Sequence, residues 1–205
     1  MANSYMEYAI TKDLKLRISG GMNKGTSQSD IFNNSLTQSG NPASPSYKGI
    51  NGTQTISNNI SFSNENTLTW TKKIKNHNIT LLAGFSQQMG RNQAFGASAV
   101  MLTSETMGMS GLDEGAPSKI TASRSVWTIN SFISRLNYNY KSKYLLTASM
   151  RADGSSKLAP ENRWGYFPSA ALAYRISSEN FMKNIKALSD AKIRVSYGAT
   201  GNNRV

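Results

Sequence analysis

The chain is dominated by positions that alternate between apolar and polar side chains, the pattern of a strand with two different faces. From Ser131 to Tyr140, Phe132, Leu136, Tyr138 and Tyr140 share one face with small Ser134 between them; Ile133, Arg135, Asn137 and Asn139 share the other. After the tight Lys141-Ser142-Lys143 turn, Leu146, Ala148, Met150 and Ala152 alternate with Thr147, Ser149, Arg151 and Asp153. Trp164, Tyr166, Leu172, Tyr174 and Ile176 alternate with Gly165, Ser169, Ala173 and Arg175, and Ile193, Val195 and Tyr197 with Lys192, Arg194, Ser196 and Gly198. Earlier segments repeat the pattern less clearly: Tyr5 to Ile10, Leu14 to Ser19, Phe62 to Trp70 and Asn78 to Phe85. These segments predict about eight strands.

The connections alternate in length. They are short at Thr11-Lys12-Asp13, at Lys75-Asn76-His77 and at Ser142. They are long from about 23 to 51 and from about 90 to 122, and longer again from Gly154 to Asn162, with Gly154 and Pro160. An up-and-down antiparallel barrel produces this alternation when its two rims face different compartments; a sandwich has no strong reason to collect every long loop at one end. The segment from Ser177 to Asp190 departs from it. There Phe181, Ile185 and Leu188 recur at helical spacing behind Ser178, which predicts a short amphipathic helix on the short-turn side.

Composition narrows the classes. Only 38% of the 205 residues are hydrophobic, and no run approaches the roughly 20 apolar residues of a membrane helix. A barrel needs no such run, because only alternate residues meet lipid. Cysteine is absent, so disulfides and thiolate metal sites are excluded. Net charge is +12, with no Lys/Arg run longer than two, and the cations read as scattered over turns and strands. Arginines and aromatics fall on opposite faces, whereas a nucleic-acid stacking platform needs them together; no nucleic-acid partner is expected.

Little in the chain suggests an enzyme. The single histidine, His77, lies in a Lys/Asn turn and reads as solvated. Gly154-Ser155-Ser156-Lys157 lacks the spacing of a phosphate loop. Asp113 with Glu114, and Asp153 with Glu161, read as loop solvation. No catalytic residue, metal site or cofactor is expected. Tyr138, Tyr140, Tyr144, Trp164, Tyr166 and Tyr174 lie near strand ends on the apolar face and are candidates for aromatic girdles at the headgroup level. Arg135, Arg151, Asp153, Arg175 and Arg194 share the opposite face and are candidates for a water-filled or plug-filled lumen. The loop aromatics Tyr47 and Phe95 are candidates to stack on sugar rings.

From Arg135 onward, four blocks carry a resemblance: Arg135 to Tyr144, Arg151 to Lys157, Asn162 to Ser169 and Ser196 to Asn202, with Glu179 to Lys183 between the last two. They are similar to blocks of SusC/RagA-type TonB-dependent transporters, in the same order. The remainder of the chain matches that family in style only. The resemblance implies an all-β, antiparallel up-and-down transmembrane barrel of about 22 strands, of which residues 1–205 supply about eight as a partial barrel domain. It implies residence in the bacterial outer membrane in contact with its lipid. It also implies import of oligosaccharides or peptides, energised through the TonB complex, with a SusD-like surface lipoprotein over the loops. Met1 to Tyr5 do not form a secretory signal. No plug segment is read, and the family pattern continues past Val205, so a fragment is expected. The alternatives are a small standalone outer-membrane barrel and a soluble glycan-binding β-sandwich.

Overall fold

Each alternating segment forms a strand, because β-branched, aromatic and small polar side chains suit a pleated surface. The computed structural model describes residues 1–182 and 190–201. Its strands are β1 (Ala2–Thr11), β2 (Leu14–Asn33), β3 (Asn51–Ile74), β4 (His77–Val100), β5 (Ala116–Tyr140), β6 (Tyr144–Ser155), β7 (Trp164–Arg175) and β8 (Lys192–Gly198). They form one sheet in the order β1 to β8, each strand beside its sequence neighbours. β1 and β8 each have a single partner, so the sheet is open. Among the described residues no helix is long and apolar enough to cross a membrane, which says nothing of strands.

Four strands are far longer than the alternation predicts: β2 has 20 residues, β3 and β4 have 24, and β5 has 25. Their distal parts are rich in Ser, Asn, Thr and Gly and carry no apolar face. Backbone pairing holds them as strands without one, which is why the pattern reads them as loop. Phe95, expected in a loop, therefore lies inside β4. Tyr47 does lie in a loop and is 43% exposed.

The chain divides into two compact units. One comprises Met1–Met22, Phe62–Met89 and Trp127–Val205; the other comprises Asn23–Ser61 and Gly90–Val126. The second unit packs its loops 34–50 and 101–115 around buried Ala99 and Leu102. Ser35 N–H donates to Glu105 at 2.7 Å and so ties one loop to the other. Asn51 Nδ2 donates to Ser39 Oγ at 3.0 Å. Gly49, at φ +70°, passes so close to Met101 that a Cβ would lie 2.5 Å from its sulfur.

The segment expected to be helical begins otherwise. Ile176–Ser178 and Asn180–Met182 are separate single 3-10 turns, with Glu179 extended between them at φ −84°, ψ 151°. Ser178 therefore sits inside a turn and does not open a helix. Ile185 and Leu188 lie outside the described residues.

Candidate functional site: a two-faced wall

The register of β5 to β8 decides which side chains share a face, since paired residues point to the same side. Four rows form one face. Tyr140, Tyr144, Tyr174 and Ile193 are paired in series; so are Tyr138, Leu146, Leu172 and Val195. Leu136, Ala148, Ala170 and Tyr197 follow, and then Ser134, Met150 and Pro168. Beyond them Phe132 pairs with Ala152 and Tyr166, and Gly154 with Trp164. Apart from Ser134 and Asn130 this face is apolar, and it lies open: Leu172 is 62% exposed, Val195 70% and Tyr197 81%. A sandwich covers such a face with a second sheet; among the described residues nothing covers it.

Aromatic rings mark both ends of the face. At the short-turn end, Tyr140 lies 6.3 Å from Tyr144, which lies 5.2 Å from Tyr174 at an interplanar angle of 12°. His77 joins them, 4.8 Å from Tyr140, and its Nδ1 is 2.7 Å from the Tyr138 hydroxyl. The histidine read as solvated is thus half-buried in the row, because β4 begins at His77 and turns its ring onto the apolar face. At the other end Phe132 stacks on Trp164 at 6.0 Å and meets Phe85, tilted, at 5.2 Å. Gly154 makes room for the indole; a Cβ there would lie 2.9 Å from its ring. Tyr166 stands one row inside this end. The Tyr144–Tyr174 row and the Gly154–Trp164 row are ten residues apart. That is about 33 Å along a strand, or about 25 Å across a membrane at a tilt of about 40°.

The opposite face is polar. Arg151 Nε donates to both oxygens of Asp153, at 2.7 and 2.9 Å, and its Nη2 donates to Ser131 at 3.3 Å. Arg135 pairs across with Ser149, which shares a hydrogen bond of 2.7 Å with Ser169. Arg194 pairs with Ala173. Arg175 shares this face but closes β7 at the rim. Its Nε is 3.4 Å from Asp190, an ion-pair distance without hydrogen-bond alignment. The Gly154-to-Lys157 stretch is not a cradle: Gly154 and Ser155 are strand, and the Lys157 ammonium lies over Trp127 at 4.9 Å.

No protein-family model matches the chain. Curated proteins do. TonB-dependent receptor P3 of Formosa agariphila is 33% identical over 98% of the chain, and receptor P26 of the same organism is 37% identical over 78%. TonB-dependent receptor SusC of Bacteroides thetaiotaomicron is 47% identical over 38%. The chain belongs to the SusC/RagA-type TonB-dependent receptors. It spans about a fifth of the length of the P3 and P26 relatives. The structure of the RagAB peptide transporter superposes on 99% of the chain with a TM-score of 0.80 at 24% identity, using 22% of its own length. The open sheet is therefore a stretch of a SusC/RagA-type barrel wall.

Two of the blocks that carry the resemblance touch. Phe167, on the polar face opposite Arg151, lies over Gly165 and Gly201, where a Cβ would come within 2.7 and 2.3 Å of its ring. Ala199 N–H donates to the Pro168 carbonyl at 2.9 Å. The aromatic of one block needs the glycine of the other, and that pairing is invisible in one dimension.

The short-turn rim of this receptor wall holds a group that the alternation did not reveal. Lys143 Nζ donates to Glu179 at 2.9 Å, and the Tyr174 hydroxyl donates to its other oxygen at 3.1 Å. The Lys143 hydrogen bond holds the Glu179 carboxyl below its ordinary value; desolvation opposes this and the Tyr174 bond adds to it. A depressed carboxyl contributes stability above its unfolded pKa and loses it as pH falls through the folded value. Glu179→Gln is expected to remove this acid-side dependence. Amide exchange at Glu179 followed against pH checks it: an unchanged profile in the variant would mean the carboxylate holds nothing.

Proposed function

We propose that this chain is wall of an outer-membrane TonB-dependent importer of oligosaccharides or peptides, with its apolar face in lipid and its polar face on the lumen. The carrying observation is the predominantly apolar face across β5 to β8, bounded by aromatic rows at a membrane's spacing. Arg135, Arg151, Asp153 and Arg194 line the lumen, where water or solute satisfies their charge, and Arg175 stands at its rim. Tyr138, Tyr140, Tyr144 and Tyr174 form the girdle at the short-turn interface; Trp164 and Tyr166 mark the other. Energy from the TonB complex and a SusD-like lipoprotein over the loops complete the assembly. The named relatives and the RagAB peptide transporter support this reading.

These 205 residues contain no cysteine, so each introduced label has a unique position among them. Single cysteines at Leu146, Leu172 and Val195, carrying nitroxide labels in the membrane-embedded protein, are expected to be relaxed by lipid-dissolved oxygen. Labels at Arg135, Arg151 and Arg194 are expected to respond to a water-soluble nickel complex. Equal response to nickel at both sets would sink the wall reading and favour a soluble sheet.

A further inference from the structure

Eight of the chain's 23 cations gather at the short-turn rim. The turns that join β1 to β2, β3 to β4 and β5 to β6 each carry a lysine: Lys12, Lys75 and Lys141. Lys143 shares the third of these turns, Lys72 and Lys73 precede the second, Arg175 closes β7 and Lys192 opens β8. Against these eight cations stand three carboxylates, Asp13, Glu179 and Asp190, which pair with Lys72, Lys143 and Arg175. Among the described residues the other five cations have no ion pair. Residues 183–189 hold no carboxylate in their sequence to offset them. The loops of the second unit lean the other way, with Lys48 against Glu105, Asp113 and Glu114.

Two of these lysines sit where lysine is disfavoured. Lys75 has φ 51°, and Lys141 has φ 52° with Ser142 following at 57°. This left-handed region favours Gly and Asn, which tight hairpin turns ordinarily use. Keeping lysine there sets a cost in the turn against a benefit elsewhere. The rim is also held as one edge: Lys141 N–H donates to Asn76 O and Arg175 N–H to Lys143 O, each at 2.8 Å. The Lys141 ammonium lies 5.3 Å from the centroid of Tyr140, at the girdle end of the apolar face. Long cationic side chains beside interfacial aromatics place their charge at the headgroup level of a bilayer.

We propose that the short-turn rim binds the anionic phosphate headgroups of membrane lipids, with Lys12, Lys75 and Lys141 as the principal contacts beside the tyrosine row. The inference rests on the reading that the apolar face meets lipid. Geometry favours lipid over a soluble partner because the Lys141 ammonium borders the apolar face, so one molecule can meet both its rings and its charge. Each lysine near an anionic surface strengthens binding by about fivefold.

The test uses the membrane-embedded protein expressed from its natural locus and extracted into lipid nanodiscs. Native mass spectrometry counts the phosphatidylglycerol retained in competition with phosphatidylcholine. Lys12→Gln with Lys75→Asn and Lys141→Asn is expected to lower phosphatidylglycerol affinity roughly a hundredfold. The two asparagines are expected to raise thermal stability at the same time, because they suit the left-handed turns. Loss of lipid with gain of stability cannot come from misfolding. Lys24→Gln with Lys119→Gln and Arg124→Gln, in the second unit, is expected to leave retention unchanged. Undiminished retention in the rim variant would overturn the proposal, as would equal displacement by millimolar inorganic phosphate, which would make this a phosphate site. The nitroxide labels on Leu146 and Leu172 separate the two readings. Lipid contact there with unchanged headgroup retention overturns this inference alone, and nickel contact there overturns the wall itself.

Discussion

The 205-residue chain on its own is expected not to insert stably into lipid vesicles. β1 and β8 each have one partner, and alternate residues of an antiparallel strand direct both backbone groups to the same side. Across the ten residues of β1 and seven of β8, about eight residues and sixteen N–H and C=O groups face outward. Each unpaired group in hydrocarbon costs several kcal/mol, so even half of them cost tens of kcal/mol. Net domain stability is only about 5–15 kcal/mol. Purified chain mixed with preformed vesicles should stay protease-sensitive and show no heat-modifiable migration on a gel. Reproducible heat-modifiable, protected chain would mean that β1 and β8 meet, and would establish a closed eight-stranded barrel instead.

Arginine scanned along β6 and β7 is expected to be tolerated by face and by depth. Met150 lies on the apolar face near the midpoint between the aromatic rows, paired with Ser134 and Pro168. Met150→Arg should cost about 2–4 kcal/mol, the range for a cation at the bilayer midplane of a barrel. Leu172→Arg, one pair from the tyrosine row, should cost about 0–1 kcal/mol, because its charge reaches the interface. Ser149→Arg, next to Met150 but on the polar face, should cost less than about 1 kcal/mol, chiefly for the lost bond to Ser169. Denaturant unfolding of the membrane-embedded protein, followed by heat-modifiable migration, measures all three. A uniform cost at Met150 and Leu172 would remove the depth dependence that only a bilayer imposes. A large cost at Ser149 with none at Met150 would reverse the two faces.

The rim lysines and the two faces bear on each other. A wall that presents tyrosines and unpaired ammonium groups at one end has a preferred depth in the bilayer, because rings and charges seek the same thin layer. Depth in turn decides which residues meet hydrocarbon, and so which substitutions are costly. Removing the rim charge is therefore expected to leave the Met150→Arg penalty in place while loosening the headgroup contacts.

Residues near the short turns were the most legible. In β6, β7 and β8 the apolar alternation, the aromatic positions and the shared face of Arg135, Arg151, Asp153 and Arg194 follow from the period of two, because a strand leaves no other choice of side. Short and long connections likewise announced the strand order. The distal parts of β2 to β5 were not legible, since strands that bury little beyond Ala99 need no regular hydrophobic pattern and are held chiefly by backbone pairing. His77 was misjudged for a related reason. A histidine beside a turn shows its partner only when the registers of β4 and β5 set it against Tyr138 and Tyr140.

The sequence by itself determined the strands near the short turns and their two faces, because these are local consequences of side-chain order. Only the tertiary structure decided which strands are twice the length a bilayer needs, which aromatics stack into rows, and that Glu179 closes on Lys143. It alone showed which rim cations are paired and that Lys75 and Lys141 sit in left-handed turns. Register and turn geometry carry that information, and they arise from backbone pairing between segments far apart in the chain.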